Sequence, residues 1–269
     1  MIERYYRPTD LDEALKYRMQ NPKAAWLAGG TQLNMALCKS SSSKVFIDLR
    51  EVVPSGIELQ QNGLFIGANT TLQDIADSTE VPGALAAAAG FIPTRSVRNQ
   101  ATIGGNIGAA RSDSYLIPVL LALDAVLLTV KEGEIPLKNF LEKDADSRAA
   151  QLILQIRLPV NPPVCVAVKE SRSYLALPVV SAAVSLKGGD SGISGACVIL
   201  GCVELSAVRL ESVEKALVEG RLTERDELEE AIRNSIEPQS DLLGSSAYKK
   251  YINAVVVADA VLRCREALK

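Results

Sequence analysis

The chain has 269 residues, 48% apolar and 23% charged, with a formal net charge of −3. That is globular composition, long enough for one large domain or two modest ones around a sizeable core. Both signs of charge are scattered, with no Lys/Arg cluster for a nucleic-acid groove and no acidic tail.

In chain order, Thr9 or Asp10 caps a helix over "DLDEALKYRMQ", whose Leu11, Ala14 and Leu15 share one face. Ala24 to Ala28 reads as a short buried strand, broken by Gly29 and Gly30, with a helix starting near Thr31 or Gln32. A solvated "KSSSSK" loop leads to a second strand, Lys44 to Leu49. Asn62-Gly63 suits a type I′ turn, whose central positions both take positive φ. Its flanks, Ile57/Leu59 and Leu64/Ile66, alternate as hairpin strands do. Thr71 and Asp74 resemble a capping box before "LQDIAD". "GALAAAAG" reads as a small-residue helix in close packing. "SYLIPVLLALDA" reads as a buried helix and "AVLLTV" as a strand. A further strand in "AAQLILQIRLP" stops at Pro159.

"NPP", from Asn161 to Pro163, is the best boundary candidate. Beyond it come three strand-like runs, Val164 to Glu170, Val179 to Leu186 and Ile193 to Val203. Glycine-rich turns, including "GGDSG", separate the later two. The rest is helical: "LESVEKALVEG", "TERDELEEAIRNSI" and "SAYKKYINAVVVADAVLRCREAL". Strict βαβ alternation is missing, so the fold class is α+β.

Absences narrow the chemistry. The chain has no histidine, which excludes Ser-His-Asp triads, Cys-His pairs and the His-Glu-x-x-His zinc site. An enzyme built on it needs a cofactor for the difficult chemistry. No stretch approaches the roughly 20 apolar residues of a membrane helix. The N-terminal "MIERYYRPTDLDEAL" reads as mature protein rather than a signal peptide. Cys38, Cys165, Cys197, Cys202 and Cys264 are irregularly spaced, without a Cys-x-x-Cys pair. They read as reduced thiols of a cytoplasmic protein, with no metal site.

Two glycine loops share one form, Ala28 to Asn34 and Thr102 to Asn106. Small residues let backbone amides approach a ligand, and Thr, Gln and Asn side chains add donors. Such backbone nests suit a pyrophosphate. Ordinary turn chemistry is the simpler account of either loop alone, and it is the match of two such loops that points to a phosphate-bearing ligand.

The strings "LAGGTQL", "RNQATIGGNIGAA" and "PVLLALDA", in this order and at these separations, resemble the FAD-binding subunit of molybdenum hydroxylases. This is the xanthine dehydrogenase and carbon monoxide dehydrogenase family. The likeness continues through "VKESRS" and "PQSDLLGSSAYKKYI" and covers essentially the whole chain. Within the family it is strongest to the small flavoprotein of bacterial selenium-dependent, xanthine dehydrogenase-like enzymes.

The resemblance implies a PCMH-type FAD fold. Residues 1–160 are then the FAD-binding domain, in subdomains of about 1–54 and 55–160 that grip an extended FAD. Residues 161–269 form a C-terminal subdomain of a three-stranded antiparallel sheet and a helical bundle. Leu27, Ala28, Gly29, Gly30, Thr31, Gln32, Leu33 and Asn34 wrap the pyrophosphate from one side. Thr102, Ile103, Gly104, Gly105 and Asn106 close on it from the other. Ile92 lies beside the adenine, and Ile153 and Lys169 near the isoalloxazine, where a lysine balances charge on reduced flavin. The family's usual aspartate, three residues before the proline of its "PxLLAL" string, falls at Tyr115, Pro118 being that proline. Asp113 or the Tyr115 hydroxyl stands in for it, or the contact is lost.

The implied function is an electron-transfer subunit of a hetero-oligomer. An iron–sulfur subunit feeds its FAD, a molybdopterin-binding subunit oxidises the substrate, and NAD or another acceptor takes the electrons. No residue of this chain is implied as catalytic. Two alternatives stand beside it: a stand-alone FAD-dependent reductase of related fold, and a scaffold subunit that has lost FAD.

Overall fold

A computed structural model describes residues 2–34, 45–189 and 192–269. The chain divides into two compact units, each assembled from separated stretches. Residues 1–80, 94–109 and 125–160 make the first, and residues 81–93, 110–124 and 161–269 the second.

The first unit holds two sheets. A parallel sheet has the order β1-β3-β2, from β1 (Arg4–Tyr6), β2 (Ala25–Leu27) and β3 (Val45–Asp48). Helix α1 (Leu11–Gln20) joins β1 to β2, as a parallel pairing requires. It starts where sequence expects: Asp10 accepts from the Glu13 amide at 2.8 Å, and Glu13 accepts from the Thr9 amide at 2.9 Å. Ala14 is the residue of its apolar face that is fully buried, against Ala24 and Ile47. Tyr6 and Tyr17 stack beside them with centroids 4.3 Å apart.

The second sheet is antiparallel, with the order β4-β5-β8-β6-β7. It contains β4 (Ile57–Gln60), β5 (Gly63–Gly67), β6 (Val126–Thr129), β7 (Gly133–Pro136) and β8 (Ile153–Leu158). The expected pairs Ile57 with Ile66 and Leu59 with Leu64 are present. The turn between them is displaced by one residue. Gly63 pairs with Gln60 inside the ladder, so Gln61 and Asn62 form the connection, and neither takes the positive φ of a type I′ turn. The glycine is needed in the strand instead. A Cβ at Gly63 would stand 2.6 Å from the Leu158 carbonyl oxygen on β8.

Short helices complete this unit: α2 (Leu72–Asp77), α4 (Arg95–Arg98), α5 (Ile103–Ala109), α7 (Leu137–Leu141) and α8 (Ala145–Ala149). The Thr71 hydroxyl accepts from the Asp74 amide at 3.1 Å and starts α2. The Asn34 amide donates to the Gly30 carbonyl at 3.0 Å, so Gly30 to Asn34 closes as a turn. Continuation of the helix expected from Thr31 or Gln32 lies outside the described residues. So do the "KSSSSK" loop, Cys38, and Asp190 and Ser191 of "GGDSG".

The second unit is built on a four-stranded antiparallel sheet of order β12-β11-β10-β9. Its strands are β9 (Val164–Ser171), β10 (Pro178–Gly189), β11 (Gly192–Gly201) and β12 (Val208–Arg209). The three expected strands are joined by a two-residue edge strand that no periodicity announces. Helices α9 (Glu211–Val218), α10 (Arg225–Asn234) and α11 (Ser246–Ala267) cover one face. There Val180, Ala182, Val184 and Leu186 of β10 meet Val257, Ala258 and Val261 in one core. Helices α3 (Gly83–Gly90) and α6 (Leu116–Ala122) pack on the same sheet. Alternate residues of β10 serve them: Ser181 and Ser185 donate to the carbonyls of Ser114 and Ala122 at 2.8 and 2.7 Å. Sheet burial on both faces explains why β10 reads as a continuous apolar run rather than an alternation.

Cys165, Cys197, Cys202 and Cys264 are free thiols. Burial pushes all four above the ordinary thiol range, to about 12 for Cys197, Cys202 and Cys264. That keeps them unreactive. Among the described residues no cluster of His, Cys, Asp and Glu could hold a metal ion, and no helix is long and apolar enough to cross a membrane.

Candidate functional site

Within the first unit the two glycine loops pack against each other. A Cβ at Gly29 would sit 1.7 Å from the Gln100 carbonyl oxygen, so only bare backbone fits where the first loop crosses the entry to the second. Gly30 follows with φ +69°, a left-handed conformation that glycine adopts without strain. This turns the chain sharply away from Leu27, whose own carbonyl accepts from Leu49 at 2.8 Å. Ala28 and Leu33 are half-buried along the turn. The backbone amides of Gly29, Gly30 and Thr31 meet no acceptor among the described residues.

The second loop is engaged differently. Ile103 donates to the Thr70 carbonyl at 3.1 Å and Gly104 to the Ala68 carbonyl at 2.9 Å. Gly105 donates to the Thr102 hydroxyl at 3.1 Å, and Asn106 to the Thr102 carbonyl at 2.9 Å. Gly104 is bare because a Cβ would stand 2.8 Å from the Ala68 carbonyl oxygen. The first two of these amides secure α5 to Ala68 and Thr70 and the other two close its first turn on Thr102, whereas those of Gly29, Gly30 and Thr31 meet no acceptor among the described residues. Ile153, at the start of β8, is buried beside Thr129.

The second unit carries the remaining expected residues. Asp113 is gripped by Arg111 through two parallel bonds of 2.7 and 2.6 Å. Tyr115 opens α6, but the Ser114 hydroxyl does the capping, accepting from Leu116 and Ile117 at 3.2 Å each. The Tyr115 ring meets Phe91 edge to face, with centroids 5.7 Å apart. Burial raises its phenol to about 12, so it stays neutral at ordinary pH. Ile92 is half-buried directly after Phe91.

Lys169, on β9, donates to the Phe91 carbonyl at 3.1 Å. Its ammonium also lies 5.5, 5.6 and 5.2 Å from the ring centroids of Phe91, Tyr115 and Tyr174. Sequence reasoning singles out Lys169 and Tyr115 but misses Phe91, Tyr174 and Gln100. No local pattern links them, because their meeting is set by tertiary packing.

Residues 1–161 match the model of the FAD binding domain in molybdopterin dehydrogenase. The chain belongs to this family. Residues 168–264 of this molybdopterin dehydrogenase FAD-binding chain match the CO dehydrogenase flavoprotein C-terminal domain. It is 39% identical to the uncharacterized protein YgfM of Escherichia coli K12, over 99% of this chain and 98% of that protein. It is 29% identical to the glyceraldehyde dehydrogenase medium chain of Sulfolobus acidocaldarius, over 95% and 96%. Carbon monoxide dehydrogenase from Hydrogenophaga pseudoflava superposes with a TM-score of 0.85 at 25% identity, covering 98% of this chain and 97% of that one. The fold is that of the molybdenum hydroxylase FAD subunits, and the cofactor is FAD. The first loop fits it: three successive amides with no acceptor among the described residues suit a group rich in acceptor oxygens, such as its pyrophosphate.

Proposed function

We propose that this chain is the electron-transfer subunit of a xanthine dehydrogenase-like molybdenum hydroxylase working in the cytoplasm. The observation that carries the reading is the open amide row of Gly29, Gly30 and Thr31, braced through Gly29 on Gln100. These amides and the Thr31 hydroxyl bind the pyrophosphate. Gln32, Leu33 and Asn34 line the same turn. Thr102, Ile103, Gly104, Gly105 and Asn106 brace it and present the exposed face of α5. Ile153 and Lys169 lie near the isoalloxazine, and Ile92, next to the Phe91 carbonyl that Lys169 binds, lies at that same end rather than beside the adenine. With Asp113 held by Arg111, the Tyr115 hydroxyl is the better stand-in for the family's aspartate. Bound FAD supplies the redox chemistry, taking electrons from an iron–sulfur partner and giving them to NAD or another acceptor. A molybdopterin-binding partner holds the substrate. Four unpaired thiols agree with a reducing compartment.

The visible spectrum of the purified chain tests this directly. We expect flavin absorbance that anaerobic NADH bleaches, and co-purification of iron–sulfur and molybdopterin subunits on co-expression. Thr31→Ala should weaken FAD retention about tenfold, one charge-assisted hydrogen bond. Valine at Gly104 would be a poor test, since Ala68 leaves it no room. A colourless chain that takes up no added FAD sinks the reading. A yellow chain that NADH leaves oxidised removes NAD as the acceptor.

A further inference from the structure

We infer that Phe91, Tyr115 and Tyr174 are positioning residues, which hold the Lys169 ammonium as an un-neutralised positive charge that makes bound flavin easier to reduce. The inference rests on the proposed placement of Lys169 near the isoalloxazine.

The cage is unusual in what it lacks. A lysine ammonium drawn out of water is commonly paired with a carboxylate. Among the described residues none pairs with Lys169, whose contacts are the Phe91 carbonyl and three ring faces. Aromatic faces attract a cation through their quadrupole and leave its net charge intact. A carboxylate in the same place would cancel that charge. The Tyr115 phenol is neutral at ordinary pH and does not cancel it either.

The rings come from three separate segments: Phe91 from the end of α3, Tyr115 from the start of α6, Tyr174 from the connection between β9 and β10. The side chain they confine is otherwise long and freely rotating. A fixed cation beside a group that gains electrons favours its reduced form by Coulomb attraction, and a mobile solvated one does so less. Tyr174 is 66% exposed, so it can be replaced without disturbing the core.

The test uses the full chain loaded with FAD, its reduction potential read by absorbance against a redox dye. Lys169→Met should shift the equilibrium about tenfold toward oxidised flavin, about 30 mV for a two-electron couple. Tyr174→Ala should shift it the same way, by less. Tyr174→Phe keeps the ring and should leave it unchanged. In the Lys169→Met background, Tyr174→Ala should add nothing. If Lys169→Met shifts the potential and Tyr174→Ala does not, the positioning role is overturned. A silent Lys169→Met overturns the inference at its premise, the placement of Lys169. A separate measurement distinguishes these failures. The Lys169 side-chain methylene protons should resonate upfield under the three rings and move back in Tyr174→Ala. Their absence from the upfield region overturns the cage itself, whatever the flavin does.

Discussion

A methyl group at Gly29 has nowhere to go, because the Gln100 carbonyl fills the space 1.7 Å away. Gly108, on α5, is the opposite case, where an added Cβ would meet nothing within 4 Å. Gly29→Ala should therefore lower stability by about 1–3 kcal/mol through overpacking. Gly108→Ala should raise it by about 0.5–1 kcal/mol through helix propensity. Chemical denaturation of the two variants reads the difference in sign. Asp48 gives a second prediction at this scale. Burial alone would raise its carboxyl. Hydrogen bonds from Arg50, at 2.6 and 2.9 Å, and from the Tyr5 hydroxyl outweigh that and hold it below the ordinary range. A depressed folded value stabilises above the unfolded value of about 4, and the benefit is lost as pH falls through the folded one. Asp48→Asn should thus be less stable than the parent at pH 7, with the gap closing in acid below about pH 4. A gap that stays constant from neutral to acid pH would show that Asp48 does not titrate as described.

Elements divide into those their own residues announce and those the neighbours decide. The helix over "DLDEALKYRMQ" is legible because Asp10 caps the Glu13 amide while the Glu13 carboxylate accepts from the Thr9 amide, all within five residues. The pairs across β4 and β5 are legible because alternation fixes register. The turn between them is not, since Gly63 answers to Leu158 on a strand far along the sequence. The candidate site divides the same way. Its glycine strings are visible, yet only packing shows which loop keeps open amides. Helix α11 offers a test of packing chemistry. Asn253 is 1% exposed, its side-chain nitrogen donates to the Lys249 carbonyl at 2.9 Å, and its side-chain oxygen has no partner among the described residues. An orphaned buried acceptor costs about 1–3 kcal/mol. The Lys249 carbonyl keeps its helical partner when the side chain is removed. Asn253→Leu should therefore raise the melting temperature, and a clear fall would mean that the amide holds something the present contacts omit.

At the scale of the molecule, a cut at "NPP" looks natural in sequence, and the family models also change over between residues 161 and 168. The second compact unit is nevertheless not residues 161–269 alone, because it includes residues 81–93 and 110–124. Those stretches bring α3 and α6 to the sheet. Leu116, Val119 and Leu120 are fully buried there. A fragment starting at Asn161 would lose that cover. It would leave the hydroxyls of Ser181 and Ser185 without the Ser114 and Ala122 carbonyls, and the Cys202 amide without the Ser112 carbonyl 2.9 Å away. A sheet buried on both faces cannot shed one layer without exposing a contiguous apolar surface, and such surfaces drive association. We expect the 161–269 fragment to bind an apolar dye, aggregate and lack dispersed amide resonances. A single chain linking residues 81–124 to 161–269 restores both helices and should recover the dispersion. A well-dispersed, monomeric 161–269 fragment would mean instead that the helical layer of α9, α10 and α11 suffices, and that α3 and α6 only dock on a sheet already folded.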